Sequence, residues 1–373
     1  MKWEETTIGT EFDLFAGGDV DREHFSETRT NIFRYPIYAN ALQRNGLYGF
    51  TSNPKYNGDS ITITGRGDVG VPIYRDTDFD AIVRLLVLTP KPNGKADSRF
   101  TTYLIERCVN FPMESTGVPQ LTVPQIRNVE LILPPLSEQR RVAAVLSDTD
   151  ELITALEKLI AKKRSIKQGA MQELLTGKQR LPGFNGDWMV TDIGTEFNLY
   201  AGGDVAKEYF SHVHTNTHTY PIYANALQND GLYGYTSMPR YKGDSITITG
   251  RGDIGVAMYR EIDFDAIVRL LVLTPKANSN VNSKFTTYFF NCCVQFPQES
   301  TGVPQLTVPQ IRNVELLLPS LPEQTAIASI LSDMDAEIDA LTVKMTKLKH
   351  IKQGMMNELL SGRIRLIGEE KPS

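Results

Sequence analysis

Two arginines stand in the same polar setting at two places in the chain. Arg66 and Arg251 each follow an Ile-Thr-Ile-Thr run that ends at Thr64 or Thr249, and each lies between glycines. Glycine lets a backbone approach a ligand closely, and the forked guanidinium can bind a phosphate or a guanine edge. The pattern predicts that both arginines, and the threonines before them, contact DNA. The alternative is a structural ion pair with the aspartate two residues after each arginine.

A second polar segment is rich in turn residues and could read bases. Asparagine and glutamine amides match adenine edges, and a tyrosine can stack on a base or bind a phosphate. Ordinary turn chemistry for the amides and a core position for each tyrosine are the competing interpretations. The candidates in this segment and in its later counterpart are Asn40, Gln43, Asn45, Tyr48, Asn225, Gln228, Asp230 and Tyr233.

A third set of candidates lies in a loop rich in glycine and proline. Serine and threonine hydroxyls and glutamine amides are common donors to phosphates and base edges. Some of them could instead cap the local backbone. The candidates are Ser115, Thr116, Gln120, Ser300, Thr301 and Gln305.

The sequence lacks the catalytic motifs that these polar residues might otherwise serve. Pro134-Pro135 is flanked by leucines and does not form an Asn/Asp-Pro-Pro-Tyr/Phe motif. Thr176-Gly177-Lys178 lacks the upstream glycine of a phosphate-binding loop. We therefore expect no catalytic residue and no cofactor.

Three histidines, His212, His214 and His218, lie close together and could suggest a metal site. The equivalent positions in the earlier half of the chain hold glutamate, arginine and phenylalanine. A surface loop is the favoured interpretation, and we expect no metal.

Composition sets limits on the class of protein. The chain has 373 residues, 41% of them hydrophobic, and a formal net charge of −5, so two or three domains with real cores are expected. Three cysteines are too few for a disulfide framework and favour a reducing compartment. The longest apolar run, Ile82–Leu88, is interrupted by Arg84, and the first residues do not resemble a signal peptide. These features predict a cytoplasmic protein without a membrane span.

The chain consists of two copies of one unit. Trp3–Gly183 and Trp188–Gly368 align without a gap at a constant offset of 185 residues, the separation of Trp3 from Trp188. The polar loops match as well as the apolar positions, which indicates that both copies bind the same kind of ligand. The first part of each copy is rich in Gly, Pro, Thr and Tyr and predicts a strand-dominated domain, with strands at Ser60–Thr64, Ala81–Leu88 and Val129–Leu133.

The second part of each copy is helical. Its apolar residues recur at heptad spacing, which is typical of a coiled-coil seam, and each helix would be roughly 60 Å long. Gly169 and Gly354 suggest either a close helix approach or simple tolerance, and Gly177 and Gly362 suggest helix ends. The residues predicted to share one apolar stripe in the first copy are Val142, Val145, Leu146, Leu152, Ile153, Leu156, Leu159, Ile160, Ile166, Leu174 and Leu175.

The connectivity predicts how the two helices pair. The first helix leads from the first domain to the second, so a second helix that pairs with it must run antiparallel and return towards the first domain. Two near-identical units joined in this way would have a pseudo-twofold axis and would present identical faces in inverted orientation. Duplex DNA with palindromic half-sites matches that symmetry.

The layout resembles the specificity subunit of type I restriction-modification enzymes. The shared features are the segment Gly58–Gly70, the turn Ser115–Gly117, the run Leu133–Gln139 and the helix end Met171–Phe184, and all four recur in the second copy. The resemblance implies a non-catalytic α+β DNA reader in which two similar strand-rich target recognition domains are separated by a pair of long antiparallel coiled-coil helices. It implies double-stranded DNA, two methyltransferase subunits and a restriction subunit as partners.

The resemblance also predicts the domain limits and the form of the target. We expect the first recognition domain at residues 1–136, the first spacer helix at 137–180, a linker and the second recognition domain at 181–321, the second spacer helix at 322–365, and a tail at 366–373. Family members commonly carry two dissimilar domains, whereas the near-identity here predicts equal or nearly equal half-sites in an inverted repeat around an unread spacer. A standalone duplicated DNA-binding protein and a tandem protein- or carbohydrate-binding module remain alternatives.

The two copies differ in a few exposed segments where specificity could be tuned. Arg44-Asn45 becomes Asn229-Asp230, and Thr28–Phe33 is largely rewritten as Val213–His218. Any difference between the half-sites is expected at positions read by these loops. Neutral surface drift is the alternative.

Overall fold

The computed structural model describes residues 3–111, 120–296 and 305–366. The chain divides into two compact units, one formed by Met1–Glu157 with Val343–Ser373 and the other by Lys158–Thr342. Each unit combines one strand-rich domain with parts of two long helices.

The domain of the first unit is built mainly from short strands, with three α-helices of its own among the described residues before the long helix. Its helices are α1 (Ile8–Glu11), α2 (Ser98–Cys108), α3 (Val123–Arg127) and α4 (Leu136–Leu174), the last of which continues into the second unit. Its strands are β1 (Glu4–Thr7), β2 (Phe12–Ala16), β3 (Phe25–Ser26), β4 (Tyr35–Tyr38), β5 (Leu47–Thr51), β6 (Ser60–Ile63), β7 (Pro72–Arg75), β8 (Asp80–Ala81), β9 (Leu86–Pro90) and β10 (Glu130–Leu133).

These strands form small sheets over a main hydrophobic core and a smaller buried cluster of Phe79, Ala81, Leu85 and Val87. One sheet is antiparallel with the order β2-β9-β6-β7, another has the order β3-β5-β4-β8 with β4 and β8 parallel, and β1 pairs with β10. The predicted Ile-Thr strand is β6, but it is buried on both faces. Ile61 and Ile63 enter the main core, while the Thr62 hydroxyl accepts a hydrogen bond from Nε of the buried Arg75 at 2.9 Å.

The second unit repeats this order of elements. Its strands are β11 (Met189–Asp192), β12 (Phe197–Ala201), β13 (Phe210–Ser211), β14 (Tyr220–Tyr223), β15 (Leu232–Thr236), β16 (Ser245–Ile248), β17 (Ala257–Arg260), β18 (Asp265–Ala266), β19 (Leu271–Pro275) and β20 (Glu315–Leu318). Its helices are α5 (Ile193–Glu196), α6 (Ser283–Cys293), α7 (Val308–Arg312) and α8 (Leu321–Leu359), and α8 continues into the first unit. The sheet orders β12-β19-β16-β17 and β13-β15-β14-β18 match those of the first unit.

The prediction of one strand over Ala81–Leu88 is wrong. After β8, Val83 and Arg84 turn the chain with positive φ angles of 54° and 55° before β9 begins. Their amides donate to the carbonyls of Gly18 and Gly17, each at 2.9 Å. Apolar periodicity missed the turn because the residues on both sides of it are buried.

The two long helices have 39 residues each and bury a narrower seam than predicted. In α4 the buried seam passes through Val142, Leu146, Ile153, Leu156 and Ile160 at heptad-like spacing. The prediction of a single stripe is wrong for four apolar residues of α4, which are exposed on a separate row: Val145, Leu152, Leu159 and Ile166.

The glycines of the helices have two different roles. A Cβ added at Gly169 or Gly354 would meet no atom within 4 Å, so these glycines mark no close helix approach and are simply tolerated. Gly177 and Gly362 lie just beyond the helix ends with φ of 69° and 71°. That left-handed conformation is typical of a helix stop, as predicted.

Within each unit the two long helices run antiparallel, as predicted. In the first unit, Lys352 near the end of α8 lies 2.7 Å from a carboxylate oxygen of Asp150 in the first half of α4. In the second unit, Lys167 near the end of α4 pairs with Asp335 in the first half of α8. The two ion pairs occupy the same repeat positions with the roles of the helices exchanged. None of the helices in the described ranges combines the length and apolar character that a bilayer crossing requires.

Candidate nucleic-acid interface

Three predicted residues, Asn40, Arg66 and Gln120, meet at one place in the first unit. Arg66 lies in the loop after β6 and forms an isolated antiparallel bridge with Gln120. Its guanidinium donates to Oε1 of Gln120 from Nε at 3.1 Å and from Nη2 at 2.8 Å. Asn40 accepts from the Gly65 amide at 2.8 Å and donates to the Arg66 carbonyl at 3.3 Å, so its side chain holds the start of the loop.

The second unit repeats this arrangement in part. Asn225 accepts from the Gly250 amide at 2.7 Å and donates to the Val268 carbonyl. Nη2 of Arg251 donates to Oε1 of Gln305 at 3.4 Å. The repeat therefore keeps the asparagine–glycine and arginine–glutamine contacts, whereas the amide of Asn225 donates to the Val268 carbonyl where that of Asn40 donates to the Arg66 carbonyl.

The charge of each loop arginine is not matched by a carboxylate. Arg66 and Arg251 are exposed, and their side-chain partners are neutral amides. Among the described residues no ion pair joins either arginine to the aspartate two residues later, so the structural ion pair considered from the sequence is absent. The guanidinium donors that the glutamine does not use are suited to a phosphate or a guanine edge.

Thr64 and Thr249 are buried, so their hydroxyls do not face a ligand. The Thr64 hydroxyl donates to the Asp68 carbonyl and accepts from the Val71 amide at 3.0 Å. Thr249 makes the matching contacts in the second unit. The sequence had placed both threonines among the DNA contacts, whereas the structure gives them the role of closing the loop that carries each arginine.

Gln43, Asn45 and Tyr48 are exposed around a tight turn that follows β4. Arg44 and Asn45 have positive φ angles of 52° and 55°, a backbone conformation that costs energy in residues other than glycine. The buried Arg75 supports the turn, since its Nη2 donates to the Asn45 carbonyl at 3.0 Å. Removal from water lowers the pKa of Arg75 to about 10.

The second unit has the same turn with different side chains. Asn229 and Asp230 have φ angles of 50° and 53°, and Nη2 of the buried Arg260 donates to the Asp230 carbonyl at 2.9 Å. Gln228 is exposed beside them. The backbone of the turn is therefore retained while its charge changes.

Neither candidate tyrosine occupies a core position. Tyr48 is 51% exposed and packs on Phe25 with 5.6 Å between ring centroids, and Tyr233 is 47% exposed and packs on Phe210 at the same distance. An exposed ring braced by a second aromatic side chain can stack on a base.

Sequence reasoning did not select two further arginines, Arg84 and Arg269, whose backbone lies beside Gly65 and Gly250 at the start of each arginine loop. Both are exposed, in turns where the preceding valine also has a positive φ, and Arg269 lines the same surface cavity as Arg251 and Gln305. The available signal was a charged residue inside an apolar run that is identical in the two copies. The arginine–amide cluster of each unit is Asn40, Arg66, Arg84 and Gln120 in the first, and Asn225, Arg251, Arg269 and Gln305 in the second.

Four candidates lie outside the described residues. They are Ser115, Thr116, Ser300 and Thr301.

The histidines of the second unit do not assemble a metal site. His212 packs edge-on against Phe210, and His214 packs edge-on against Tyr235. In the part of the chain that the structure describes, no group of three or more histidine, cysteine, aspartate or glutamate side chains could hold a metal ion.

Comparisons with known proteins show the family to which the chain belongs. The family model for the type I restriction modification DNA specificity domain matches residues 2–168 and 185–352. A Mycoplasma pneumoniae protein assigned as a type I specificity subunit is 26% identical over 332 residues, which cover 86% of each chain. The specificity subunit of the type I restriction enzyme MjaVIII from Methanocaldococcus jannaschii is 25% identical over 300 residues, which cover 72% of this chain and 69% of that protein.

A solved structure shares the fold over almost the whole chain. It is the S subunit of a type I restriction-modification system from M. genitalium, with a TM-score of 0.72 and 18% sequence identity over 96% of each chain. The two strand-rich domains and the two long helices described above agree with the two matches of the family model. The chain therefore belongs to the type I restriction-modification DNA specificity family, as a DNA-recognition subunit rather than an enzyme.

Proposed function

We propose that each unit reads one half of a bipartite DNA target with its arginine–amide cluster, and that the two half-sites are identical or nearly so. The observation that carries this proposal is the recurrence of the residue types of the cluster, with the asparagine–glycine and arginine–glutamine hydrogen bonds, in two units aligned without a gap. Equal side chains present the same hydrogen-bonding groups, and base edges are distinguished by those groups.

The chemistry of the cluster suits direct contact with duplex DNA. Gln120 orients the Arg66 guanidinium before a ligand arrives, which reduces the side-chain entropy lost on binding. Arg84 adds a second exposed cation, and Gln43, Asn45 and Tyr48 offer amide and aromatic groups nearby along the chain. Arginine forks favour guanine or phosphate, and amides favour adenine.

The direction of the helices supports an inverted repeat. In the first unit, Asp150 in the first half of α4 meets a lysine near the end of α8. In the second unit, Asp335 in the first half of α8 meets a lysine near the end of α4. Exchange of the two helices therefore reproduces the same contact. Proteins with this exchange symmetry match DNA half-sites related by a dyad.

The partners and limits of the chain complete the proposal. As a specificity subunit it works with methyltransferase and restriction subunits on DNA, and we propose that it binds two methyltransferase subunits. We propose recognition domains at residues 1–136 and, together with a linker, at 181–321, and the spacers predicted at 137–180 and 322–365 contain the helices α4 (Leu136–Leu174) and α8 (Leu321–Leu359). Free Cys108, Cys292 and Cys293 support a reducing, cytoplasmic location.

Mapping of methylated bases in the host genome tests the form of the target. The expected result is one motif whose two specific halves are inverted copies of each other, separated by an unspecified spacer. A motif with two unrelated halves would show that near-identical domains do not read equal sequences.

A matched pair of variants tests the role of the cluster. Arg66→Ala and Arg251→Ala should each relax one base position in one half-site, or lower the slope of log affinity against log salt by about 1 if the arginine holds a phosphate. The two variants should have equal effects on opposite halves. Unchanged affinity and specificity in both would remove the loop arginines from the interface.

Co-purification distinguishes the assembled subunit from a standalone DNA-binding protein. The tagged chain, expressed with the methyltransferase subunit of its host, should recover a complex whose mass corresponds to two methyltransferase copies per chain. Recovery of the chain alone would contradict the proposed stoichiometry.

A further inference from the structure

The first unit carries a second cationic surface apart from its arginine–amide cluster. Arg29, Arg34 and Arg44 are exposed and line one surface cavity, whose base is formed in part by the buried Arg75. Nη2 of Arg34 also donates to the hydroxyl of Tyr35 at 2.6 Å. We name the three exposed arginines the arginine patch.

The scaffold beneath this patch is the same in both units. The Arg75 guanidinium lies 3.5 Å from the ring centroid of Tyr38, and the Arg260 guanidinium lies 3.5 Å from that of Tyr223. Each buried arginine donates to a threonine hydroxyl at 2.9 Å and to a carbonyl of the left-handed turn. The backbone that supports this cavity therefore has the same contacts in the two units.

The exposed charges are not matched. At the positions of the arginine patch, the second unit has His214, Thr219 and Asn229. In addition, Asp230 replaces Asn45 in the turn. The three arginines of the first unit are thus replaced in the second unit by side chains without a permanent charge. The second unit also has one additional carboxylate in the turn.

The chemistry of the patch selects an anion with several acceptor oxygens. Three guanidinium groups surround the cavity, and the carboxylate that lines it with them belongs to Asp76. A guanidinium keeps its charge at neutral pH and can donate two parallel hydrogen bonds to a phosphate. The backbone of Arg44 is also held in a left-handed turn, so the point from which its side chain extends is set before binding.

The patch adjoins the arginine–amide cluster along the chain. Asn40, which holds the Arg66 loop, leads directly into the turn that carries Arg44, and the Ala39 amide donates to the Gly46 carbonyl at 2.8 Å across that turn. The four-residue step from Asn40 to Arg44 spans at most about 14 Å, so a duplex bound at the cluster is within reach of the patch. The cluster is identical in the two units while the patch is not, so base reading and backbone anchoring are separated.

We propose that the arginine patch binds DNA backbone phosphates, so that the first domain anchors its half-site by more phosphate contacts than the second. This inference rests on the proposed function, since it requires that both clusters bind DNA. Two half-sites of equal sequence are then held with unequal strength and unequal salt dependence.

Exchange of the differing residues between the two copies tests the inference. Arg29→His/Arg34→Thr/Arg44→Asn gives the first unit the side chains of the second, and His214→Arg/Thr219→Arg/Asn229→Arg makes the reverse change. Full-length protein with its methyltransferase partner is titrated against a duplex that carries the mapped target and against a scrambled duplex of equal length, over a range of KCl concentrations.

The first variant should lower the slope of log affinity against log salt by between about 1 and 3 on both duplexes, because each phosphate contact contributes about 0.9. The reverse variant should raise the slope by a similar amount. Hydroxyl-radical footprints should extend further beyond one half-site than beyond the other in the parent protein, and become more symmetric in the first variant.

Three results would overturn the inference. One is an unchanged salt slope in both exchange variants, another is a change confined to base preference on the mapped duplex, and the third is weaker capture of the methyltransferase with an unchanged slope. Binding of the parent protein to the mapped duplex distinguishes failure of this inference from failure of the proposed function. If the parent protein binds that duplex specifically, the proposed function stands whatever the exchange variants do.

Discussion

Arg365 and Glu138 form a two-pronged salt bridge across 227 residues of sequence. Nε of Arg365 lies 2.7 Å from Oε1 of Glu138, and Nη2 lies 2.6 Å from Oε2. Glu138 is buried at the start of α4, whereas Arg365 follows the end of α8. In the second unit, Arg180 and Glu323 repeat the pair, with both distances 2.7 Å. The ion pair thus joins the start of one long helix to the segment that follows the other.

Removal of the carboxylate should weaken the unit that contains it. Glu138→Gln leaves the Arg365 guanidinium without its counter-charge, so the first unit should lose protection against amide hydrogen exchange and unfold at a lower temperature. Glu323→Gln is the matched control and should act on the second unit. Equal loss of protection in both units from either single variant would contradict this local role.

Leu146 belongs to the buried seam of α4, and Leu152 belongs to its exposed apolar row. Leu146 is fully buried and Leu152 is 45% exposed. Leu146→Ala should lower the free energy of unfolding by about 2–5 kcal/mol, because it leaves a cavity in the core. Leu152→Ala should cost less than about 1 kcal/mol. Urea unfolding measures both, and equal costs would show that the seam is assigned to the wrong row.

Val83 holds a backbone conformation that a β-branched residue rarely adopts. Its φ is 54° and its side chain is 56% exposed, so little burial offsets the strain. Val83→Asn should raise the free energy of unfolding by about 1 kcal/mol, since asparagine tolerates the left-handed region better. Val268→Asn, at φ 53°, should do the same in the second unit. A loss of stability in either variant would show that the valine side chain contributes more than the strain costs.

Arg84 should contribute to DNA affinity although it lies in an apolar run. Arg84→Ala should lower the slope of log affinity against log salt by about 1 if its guanidinium holds one phosphate, with little change in thermal stability because the side chain is exposed. Arg269→Ala should match it. The expected slope is measured by fluorescence anisotropy with the mapped duplex, and an unchanged slope and specificity would place both residues outside the interface.

Alkaline pH should destabilise the second unit through Tyr288. Burial and a hydrogen bond to Asp335 raise the pKa of Tyr288 to about 12 from its ordinary 10.0. Because the folded-state pKa lies above the unfolded value, the stabilisation is fully present below pH 10 and is lost as pH rises towards about 12.

Tyr288→Phe should remove this part of the pH dependence. The measurement is the free energy of urea unfolding at about pH 9 and about pH 11, with the exposed Tyr48→Phe as control. Burial also raises the pKa of Tyr103 in the first unit, so Tyr103→Phe should have a parallel effect there. A pH dependence identical to that of the parent protein in both variants would contradict the role of these tyrosines.

Much of the architecture could be predicted from the chain itself. The ungapped match of Trp3–Gly183 with Trp188–Gly368 predicts that the fold of one copy recurs in the other. Heptad spacing predicted two long helices, and connectivity predicted that they pair antiparallel. The polar residues Asn40, Arg66 and Gln120 were identified because their types and glycine-rich surroundings are those of a nucleic-acid contact.

Other features depend on residues far apart in the sequence, and only the tertiary structure decided them. Thr64 is buried because the loop after β6 folds back over its hydroxyl, and Arg84 is exposed because the backbone turns on Gly17 and Gly18. Local periodicity reports whether a segment is apolar on one face, but it contains no information on which distant strand covers that face. It also cannot distinguish a buried strand from two short strands joined by a left-handed turn, since both present the same run of apolar side chains.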